Sequence, residues 1–303
     1  MTIMCFFFVF VNIIMKTSYS LLDSGDQSKL ECFGDVVISR PCSVAVWRPK
    51  LSKGDWDCAD GCFCREPRNC WSWRKKIPDE WVVELEGFRF KLSPTDFGHV
   101  GVFPEHCECW RWMEDLLGKT YDRFVRKKRP CEVLNLFAYS GAATLAAARA
   151  GAHVCHLDAS RGMVAWGREN AALNGLERAP IRWIVDDAKK FLQRELRRGR
   201  RYDGVILDPP SFGRGKRGEV FKIEEDLPEM LELCRQLLSE EPLFVLVSCH
   251  TPGFTPMVMR NLLEQTIPSE GGCIDQGELL LGRENAPNSV PSGTFARIGW
   301  ADG

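Results

Sequence analysis

The sequence predicts an α/β fold in which a mostly parallel, Rossmann-like sheet is covered by helices on both faces. The first observation is the stretch 133–158, where an apolar strand, a turn, an alanine-rich helix and a second strand end on Asp158. The second is that strands and helices keep alternating afterwards, with predicted strands at 181–185, 202–207 and 243–247. Such repeated units form parallel sheets, whose ligands bind outside the carboxyl ends of the strands.

The turn after the first of these strands indicates what kind of ligand to expect. It offers one glycine, Gly141, together with the bulky Phe137 and Tyr139. A dinucleotide site needs three glycines there, because the pyrophosphate presses against bare backbone. S-adenosylmethionine has no phosphates, and its ribose suits Asp158 while its amino-acid tail suits the turn. We therefore expect S-adenosylmethionine, with an ordinary turn that binds no ligand as the alternative.

Composition places the chain among ordinary globular proteins. With 303 residues, 45% hydrophobic and 27% charged, it has room for about two domains. The net charge of −1 means that any nucleic-acid surface must be local. Fourteen cysteines beside a cofactor fold predict reduced thiols, and hence a cytoplasmic protein, rather than a disulfide framework.

The first residues are predicted to be an apolar extension, 1–19, that is disordered or precedes the true start of the protein. The apolar run 4–14 is too short to span a bilayer and lacks a positively charged segment before it. Met15 could be the true start. We expect no membrane association.

The pattern then changes to short β-like runs, which predict a small β domain over residues 20–76. Strands are expected at 35–39 and 44–47. Residues 77–303 are assigned to the α/β domain, and a helix is predicted over 110–128.

A cluster of four cysteines lies in the small β domain, at Cys58, Cys62, Cys64 and Cys70. Its spacing, C-x3-C-x-C-x5-C, matches no common zinc finger or ribbon, so free thiols and no metal are expected. The tryptophans of this region, Trp56, Trp71 and Trp73, could stack on bases. Packing in a small core is the more common use of such residues.

Two acidic strand ends are candidate binding groups. The strand at 202–207 ends on Asp208-Pro209-Pro210-Ser211-Phe212. The prolines freeze the turn, so Asp208 can hydrogen-bond a planar acceptor while Phe212 stacks on it. Asp186 and Asp187 follow the strand at 181–185, where they can accept from the adenine amino group, cap the next helix, or do both.

Together these motifs resemble the class I S-adenosylmethionine-dependent methyltransferases, and more narrowly the branch of the large-subunit ribosomal RNA cytosine-C5 methyltransferases. The resemblance covers roughly residues 81–299 and rests on VLNLFAYSGAATLA, HLDAS, WGRENAALNG, VDDAKKFL and YDGVILDPPSFGRG. It implies a Rossmann-like seven-stranded methyltransferase sheet, with an antiparallel last strand at 293–300, and a small N-terminal β domain.

The resemblance also implies roles for individual residues. The residues around the methionine end of the donor would be Asn135, Phe137, Tyr139 and Gly141. Asp158 would hold the ribose and Asp187 the adenine. The acceptor would face Asp208, Pro209, Pro210 and Phe212.

One departure bears on the acceptor. The family's cytosine enzymes carry Ser-Cys-Ser after the fifth strand, whereas this chain has Ser248-Cys249-His250. A Cys249 thiolate that adds to carbon 6 of cytosine would make carbon 5 nucleophilic, and Asp208 would stabilise the adduct. The alternative for Cys249 is a small core residue.

Three functions are therefore open. The favoured one is methylation of an RNA base, with carbon 5 of ribosomal RNA cytosine preferred. The second is methylation of an amine on a nucleobase, a protein or a small molecule, which needs no cysteine. The third is a non-catalytic nucleic-acid-binding protein, against which Asp158, Gly141 and Asp208 argue.

Overall fold

The computed structural model describes residues 18–66, 68–214, 220–282 and 289–300. The chain forms two compact units, Met1–Glu105 with Leu280–Pro291, and His106–Leu279 with Ser292–Gly303. The predicted domain boundary at residue 76 stays a prediction. The predicted apolar run at 4–14 lies outside the described residues. Within them, no helix is long and apolar enough to cross a bilayer.

The first unit is rich in β-structure, as predicted. Its five-stranded sheet has the order β1-β2-β3-β4-β5, and β6 and β7 form a separate antiparallel hairpin. A buried, two-pronged ion pair joins Arg40 to Glu31, with nitrogen–oxygen distances of 2.7 and 2.8 Å. The strands are β1 (Tyr19–Gly25), β2 (Ser28–Phe33), β3 (Val36–Pro41), β4 (Gly61–Cys64), β5 (Cys70–Trp73), β6 (Trp81–Leu85) and β7 (Phe88–Leu92), and one short helix is α1 (Lys53–Trp56).

The strand predicted at 44–47 is wrong. The backbone there turns back on itself, since the Ala45 amide donates to the Cys42 carbonyl and the Val46 amide to the Val44 carbonyl. These local bonds use the donors that a sheet ladder would need. Val46 is 78% exposed, so its apolar side chain does not belong to a buried strand.

The second unit contains the predicted seven-stranded sheet, with the order β10-β9-β8-β11-β14-β16-β15. The last strand pairs antiparallel with β14, which confirms that expectation. The strands are β8 (Glu132–Leu136), β9 (His153–Asp158), β10 (Ile181–Val185), β11 (Gly204–Leu207), β14 (Phe244–Cys249), β15 (Cys273–Leu281) and β16 (Val290–Gly299), with a small hairpin of β12 (Phe212–Arg214) and β13 (Val220–Lys222).

The helices of this unit largely follow the sequence pattern. Ser160 caps its helix as predicted, because its hydroxyl accepts from the Met163 amide. The helix predicted at 110–128 is broken at Thr120, whose hydroxyl donates to the Leu116 carbonyl. The helices are α2 (Cys107–Lys119), α3 (Tyr121–Arg126), α4 (Ala142–Arg149), α5 (Arg161–Leu173), α6 (Ala188–Arg197), α7 (Ile223–Leu237) and α8 (Pro256–Thr266).

The central strands are in register, which brings their carboxyl ends to one edge. Leu207 of β11 pairs with Leu136 of β8 on one side and with Val247 of β14 on the other. Leu136 in turn pairs with Leu157 of β9. The residues that follow these four positions therefore emerge close together, as parallel sheets require of a ligand site.

The opposite edge of the same strands is held by one buried carboxylate, Asp203, which is 1% exposed. It accepts two bonds from the Arg129 guanidinium, at 2.6 and 2.8 Å. It also accepts from the Glu132 amide at 3.0 Å and the Ser239 hydroxyl at 2.8 Å. Asp203 thus ties the start of β11 to the start of β8.

Replacing Asp203 with alanine should lower the free energy of unfolding by about 2–4 kcal/mol, because a buried amide and hydroxyl lose their acceptor while Arg129 can turn to water. Urea denaturation measures the change. The matched control is Glu232→Ala, which removes an exposed pair with Arg235 and should cost at most about 1 kcal/mol. Equal losses in the two variants would contradict the role assigned to Asp203.

Candidate active site

Asp158, the last residue of β9, joins two loops through its carboxylate. One oxygen accepts from the Tyr139 amide at 2.9 Å, and the other accepts from the Ser160 amide at 2.8 Å. Burial raises the pKa of Asp158, while these two amide bonds act in the opposite direction. A carboxylate can accept about four hydrogen bonds, so lone pairs remain for two hydroxyls of a ligand.

The turn between β8 and α4 has an unusual backbone. Gly141 has a φ of 92°, and the non-glycine residues Phe137 and Tyr139 also have positive φ, at 56° and 49°. The rings of these two residues pack, with centroids 5.5 Å from Phe221 and 6.2 Å from Trp166, respectively. Positive φ costs a bulky residue about 1 kcal/mol or more, and such strain concentrates at functional sites.

A buried polar network lies next to this turn. The Asn135 amide nitrogen donates to the Thr144 hydroxyl at 2.9 Å, and that hydroxyl lies 2.9 Å from Nδ1 of His156. Burial lowers the pKa of His156 to about 3, so its imidazole is neutral at physiological pH. Sequence analysis missed Thr144 and His156. It predicted that Asn135 binds the methionine end of the donor; that role stays a prediction, and the structure shows the amide nitrogen engaged with Thr144.

The two acids after β10 make different contacts. Asp187 is the N-cap of α6, where its carboxylate accepts from the Lys190 amide at 2.9 Å. Asp186 pairs with Arg194 at 2.6 Å and accepts from the Asp187 amide at 2.9 Å. The capping alternative is therefore present, and the predicted contact of Asp187 with adenine stays a prediction.

A cluster of four side chains lies at the carboxyl ends of β11 and β14. It consists of His106, Asp208, Ser248 and His250, and we call it the acceptor corner. The Ser248 hydroxyl donates to Oδ1 of Asp208 at 2.7 Å. Nε2 of His106 lies 3.6 Å from Oδ2 of Asp208, and Nε2 of His250 lies 3.7 Å from Oδ1. The two Nε2 atoms are 3.0 Å apart.

The predicted turn after Asp208 forms one wall beside this corner. Pro209 is buried and Pro210 is exposed. The Ser211 hydroxyl lies 2.7 Å from the Thr251 hydroxyl, which links the turn to the end of β14. Phe212 is 51% exposed. The stacking role itself stays a prediction.

Cys249 lies between Ser248 and His250 but belongs to the hydrophobic core. It is 1% exposed and clusters with apolar residues such as Cys234, Met259 and Leu263. Burial raises the pKa of its thiol. A nucleophilic thiolate needs a depressed pKa and access to the substrate. Because side chains alternate along a strand, its two neighbours reach Asp208 while Cys249 packs inward.

The sequence analysis did not connect the two histidines of the acceptor corner. His106 ends a 3₁₀ turn at Pro104–His106, 144 residues before His250. A sequence signal for this cluster was present at the end of β14. Ser248 and His250 are two residues apart and therefore share a face of the extended chain.

Comparison with known proteins decides the family. A family model described as S-adenosylmethionine-dependent methyltransferase matches residues 63–273. The chain belongs to this family. Its methyl donor is S-adenosylmethionine, as the sequence predicted.

Individual relatives agree with this assignment. The chain is 39% identical to a SAM-dependent methyltransferase from Agrobacterium tumefaciens, with a TM-score of 0.86 over 94% of this chain and 91% of that one. A putative methyltransferase, SMU.776, solved in complex with SAH, is 19% identical and shares the fold, with a TM-score of 0.74 over 96% of this chain and 77% of that one.

A curated relative is the ribosomal RNA large subunit methyltransferase K/L of Shewanella frigidimarina (strain NCIMB 400). It is 35% identical over 162 residues, which cover 53% of this chain and 21% of the relative. The chain thus spans about a fifth of the length of that relative.

The residues present fit the methyl donor. Asp158 carries lone pairs toward which ribose hydroxyls can donate, and the backbone around it is already held by the Tyr139 and Ser160 amides. The turn has aromatic residues where a pyrophosphate would need bare backbone. When bound, the donor supplies an electrophilic methyl group on a sulfonium sulfur.

Replacing Asp158 with alanine should weaken S-adenosylmethionine binding about tenfold or more, because hydrogen bonds to a charged group are worth about 1.5–3 kcal/mol. Isothermal titration calorimetry measures the affinity, and Asp122→Ala, an exposed acid in α3, is the control. Unchanged affinity in a folded Asp158→Ala protein would remove this acid from the donor site.

Proposed function

We propose that this enzyme transfers a methyl group to a base of RNA, with ribosomal RNA as the favoured substrate. The observation that carries the proposal is the acceptor corner, where Asp208 stands at the carboxyl edge of the sheet and is followed four residues later by Phe212, which is 51% exposed. The similarity to the ribosomal RNA large subunit methyltransferase K/L of Shewanella frigidimarina supports ribosomal RNA as the substrate class. All described cysteines are free thiols, which supports a cytoplasmic location.

The acceptor corner suits a planar, polar ligand. The Ser248 hydroxyl orients the Asp208 carboxylate at 2.7 Å, so the acid does not rotate freely. Pro209 and Pro210 fix the turn that follows. A nucleobase offers both an amine or ring N–H for the carboxylate and a π face for Phe212. A protein amine offers only the first of these.

The burial of Cys249 favours transfer to a base nitrogen over transfer to carbon 5 of cytosine. Carbon-5 chemistry requires a thiolate that adds to the ring, whereas this thiol packs in the core with a raised pKa. Direct transfer requires only that the nitrogen lone pair attack the methyl carbon as its bond to sulfur breaks. The nitrogen then releases its proton, and Asp208 stabilises the positive charge that develops on the base.

Replacing Asp208 with asparagine should lower methyl transfer to ribosomal RNA by about 10²-fold or more, because the charge beside the acceptor is lost. Donor affinity should change little, since Asp158 lies at the end of a different strand. Transfer of labelled methyl groups and calorimetry with S-adenosylmethionine measure the two quantities separately. A collapse of donor affinity in the folded variant would mean that Asp208 serves the donor.

Replacing Cys249 with alanine should leave the transfer rate within a few-fold of wild type, because the thiol is 1% exposed and its pKa is raised. The matched control is Cys234→Ala, which removes another thiol from the same core cluster. Mass spectrometry of the digested RNA identifies the methylated nucleoside. Loss of transfer in Cys249→Ala alone, together with a covalent complex on 5-fluorocytidine RNA, would establish carbon-5 chemistry instead.

A further inference from the structure

The acceptor corner brings together three side chains whose atoms are ligands of transition metals. These are Nε2 of His106, Nε2 of His250 and the carboxylate of Asp208, and the ligand atoms all lie within 4.8 Å of one another. Two of the five histidines of the chain meet at this one acid. The sequence analysis expected no metal, because it considered only the cysteine cluster of the first unit.

We propose that His106, Asp208 and His250 form a binding site for a divalent transition-metal ion. Two imidazoles and one carboxylate are the ligand set of many catalytic zinc and non-haem iron centres, which leave further positions of the ion open.

The distances match those between ligands of one ion. With bonds of about 2.1 Å, two ligands are about 3.0 Å apart at a right angle and about 3.6 Å apart at 120°. The two Nε2 atoms are 3.0 Å apart, Nε2 of His106 is 3.6 Å from Oδ2 of Asp208, and Nε2 of His250 is 3.7 Å from the other oxygen, Oδ1. The two longer distances exceed hydrogen-bond length, so direct bonding between the histidines and the acid does not explain them.

The tautomer of His250 leaves a metal-binding lone pair in the cluster. Its Nδ1 lies 2.7 Å from the Ser292 carbonyl oxygen, which can only accept, so Nδ1 carries the proton. A neutral ring then has its lone pair on Nε2, the atom that faces His106 and Asp208. Ligating histidines commonly donate their other N–H to a backbone carbonyl in this way.

The carboxylate is oriented by a neighbour, as ligating carboxylates are. The Ser248 hydroxyl donates to Oδ1 of Asp208 at 2.7 Å, which leaves Oδ2 toward His106. A simple hydrogen bond between the two imidazoles is the competing explanation for the 3.0 Å distance. That hydrogen bond involves only the two rings, and the Ser248 hydroxyl holds Asp208 independently, whereas a bound ion would join all three groups.

The role of the ion rests on the proposed function. Three protein ligands leave positions for an oxygen of the acceptor, and a carbonyl oxygen of a nucleobase is a suitable one. With the ion bound, Asp208 would hold the base through the ion rather than by a direct hydrogen bond, and coordination would make the adjacent ring N–H more acidic. That nitrogen would lose its proton to solvent as it takes the methyl group, and the electron pair of the broken bond would stay on sulfur.

Titration of the metal-free full-length protein with Co²⁺ tests the site. Nitrogen and oxygen ligands give Co²⁺ only weak visible bands, whereas thiolates add intense near-ultraviolet bands, so the exposed cysteines are told apart from the acceptor corner. We expect one ion with the nitrogen–oxygen spectrum. His106→Gln and His250→Gln should each weaken its binding about 100-fold or more. His153→Gln, at a partly buried histidine in β9 outside the acceptor corner, should bind as wild type does.

Calorimetry with S-adenosylmethionine verifies that each variant is folded. The proposal is overturned if wild type binds no Co²⁺ with the nitrogen–oxygen spectrum, or if both folded histidine variants still bind it with wild-type affinity. RNA methylation, measured separately with and without a chelator, tests the proposed function. Metal binding without any RNA methylation would refute that function alone, and methylation by a protein that binds no Co²⁺ would refute the metal site alone.

Discussion

The parallel register of β8, β11 and β14 is the constraint on which the site depends. These strands are buried on both faces and pair residue for residue, so Leu136, Leu207 and Val247 end level with one another. Asp203 holds the opposite edge of the same strands through Arg129 and the Glu132 amide. A slip of one residue would reverse the faces on which side chains point and would separate Asp208 from Ser248.

The alternation of side chains along β14 then decides which side chains face Asp208. Ser248 and His250 reach Asp208, whereas Cys249 packs among core residues that include Leu263. Burial raises the pKa of that thiol. The middle one of three consecutive residues thus differs from its two neighbours, because successive side chains of a strand point to opposite faces. A sequence motif that covers these three residues does not show which of their side chains face Asp208.

The fold was largely predictable, because it depends on local patterns. Strand β10 has the predicted bounds, and the Ser160 cap was visible from its position before a helix. The break at Thr120 was missed because a hydroxyl bonded to the Leu116 carbonyl leaves no periodic signal. The strand expected at 44–47 was wrong because apolar, β-branched residues also occur in turns.

The sequence predicted the site residues that lie in recognisable motifs, but not those that only the tertiary structure brings together. Asp158 and Asp208 end strands, and parallel sheets collect ligands at such ends. His106 meets His250 only because the chain folds back over 144 residues, and no local pattern encodes such an encounter. The buried bonds among Asn135, Thr144 and His156 were hidden for the same reason.

The aromatic turn after β8 has an evolutionary consequence. Phe137 and Tyr139 hold a backbone conformation that glycine would adopt without strain. Glycine at either position would relieve that strain, but it would also remove a ring that packs on Phe221 or on Trp166 and would give the unfolded chain more conformational freedom. The packing of the rings therefore offsets the strain of the turn. Drift at these two positions is expected to conserve the size of the ring rather than the freedom of the backbone.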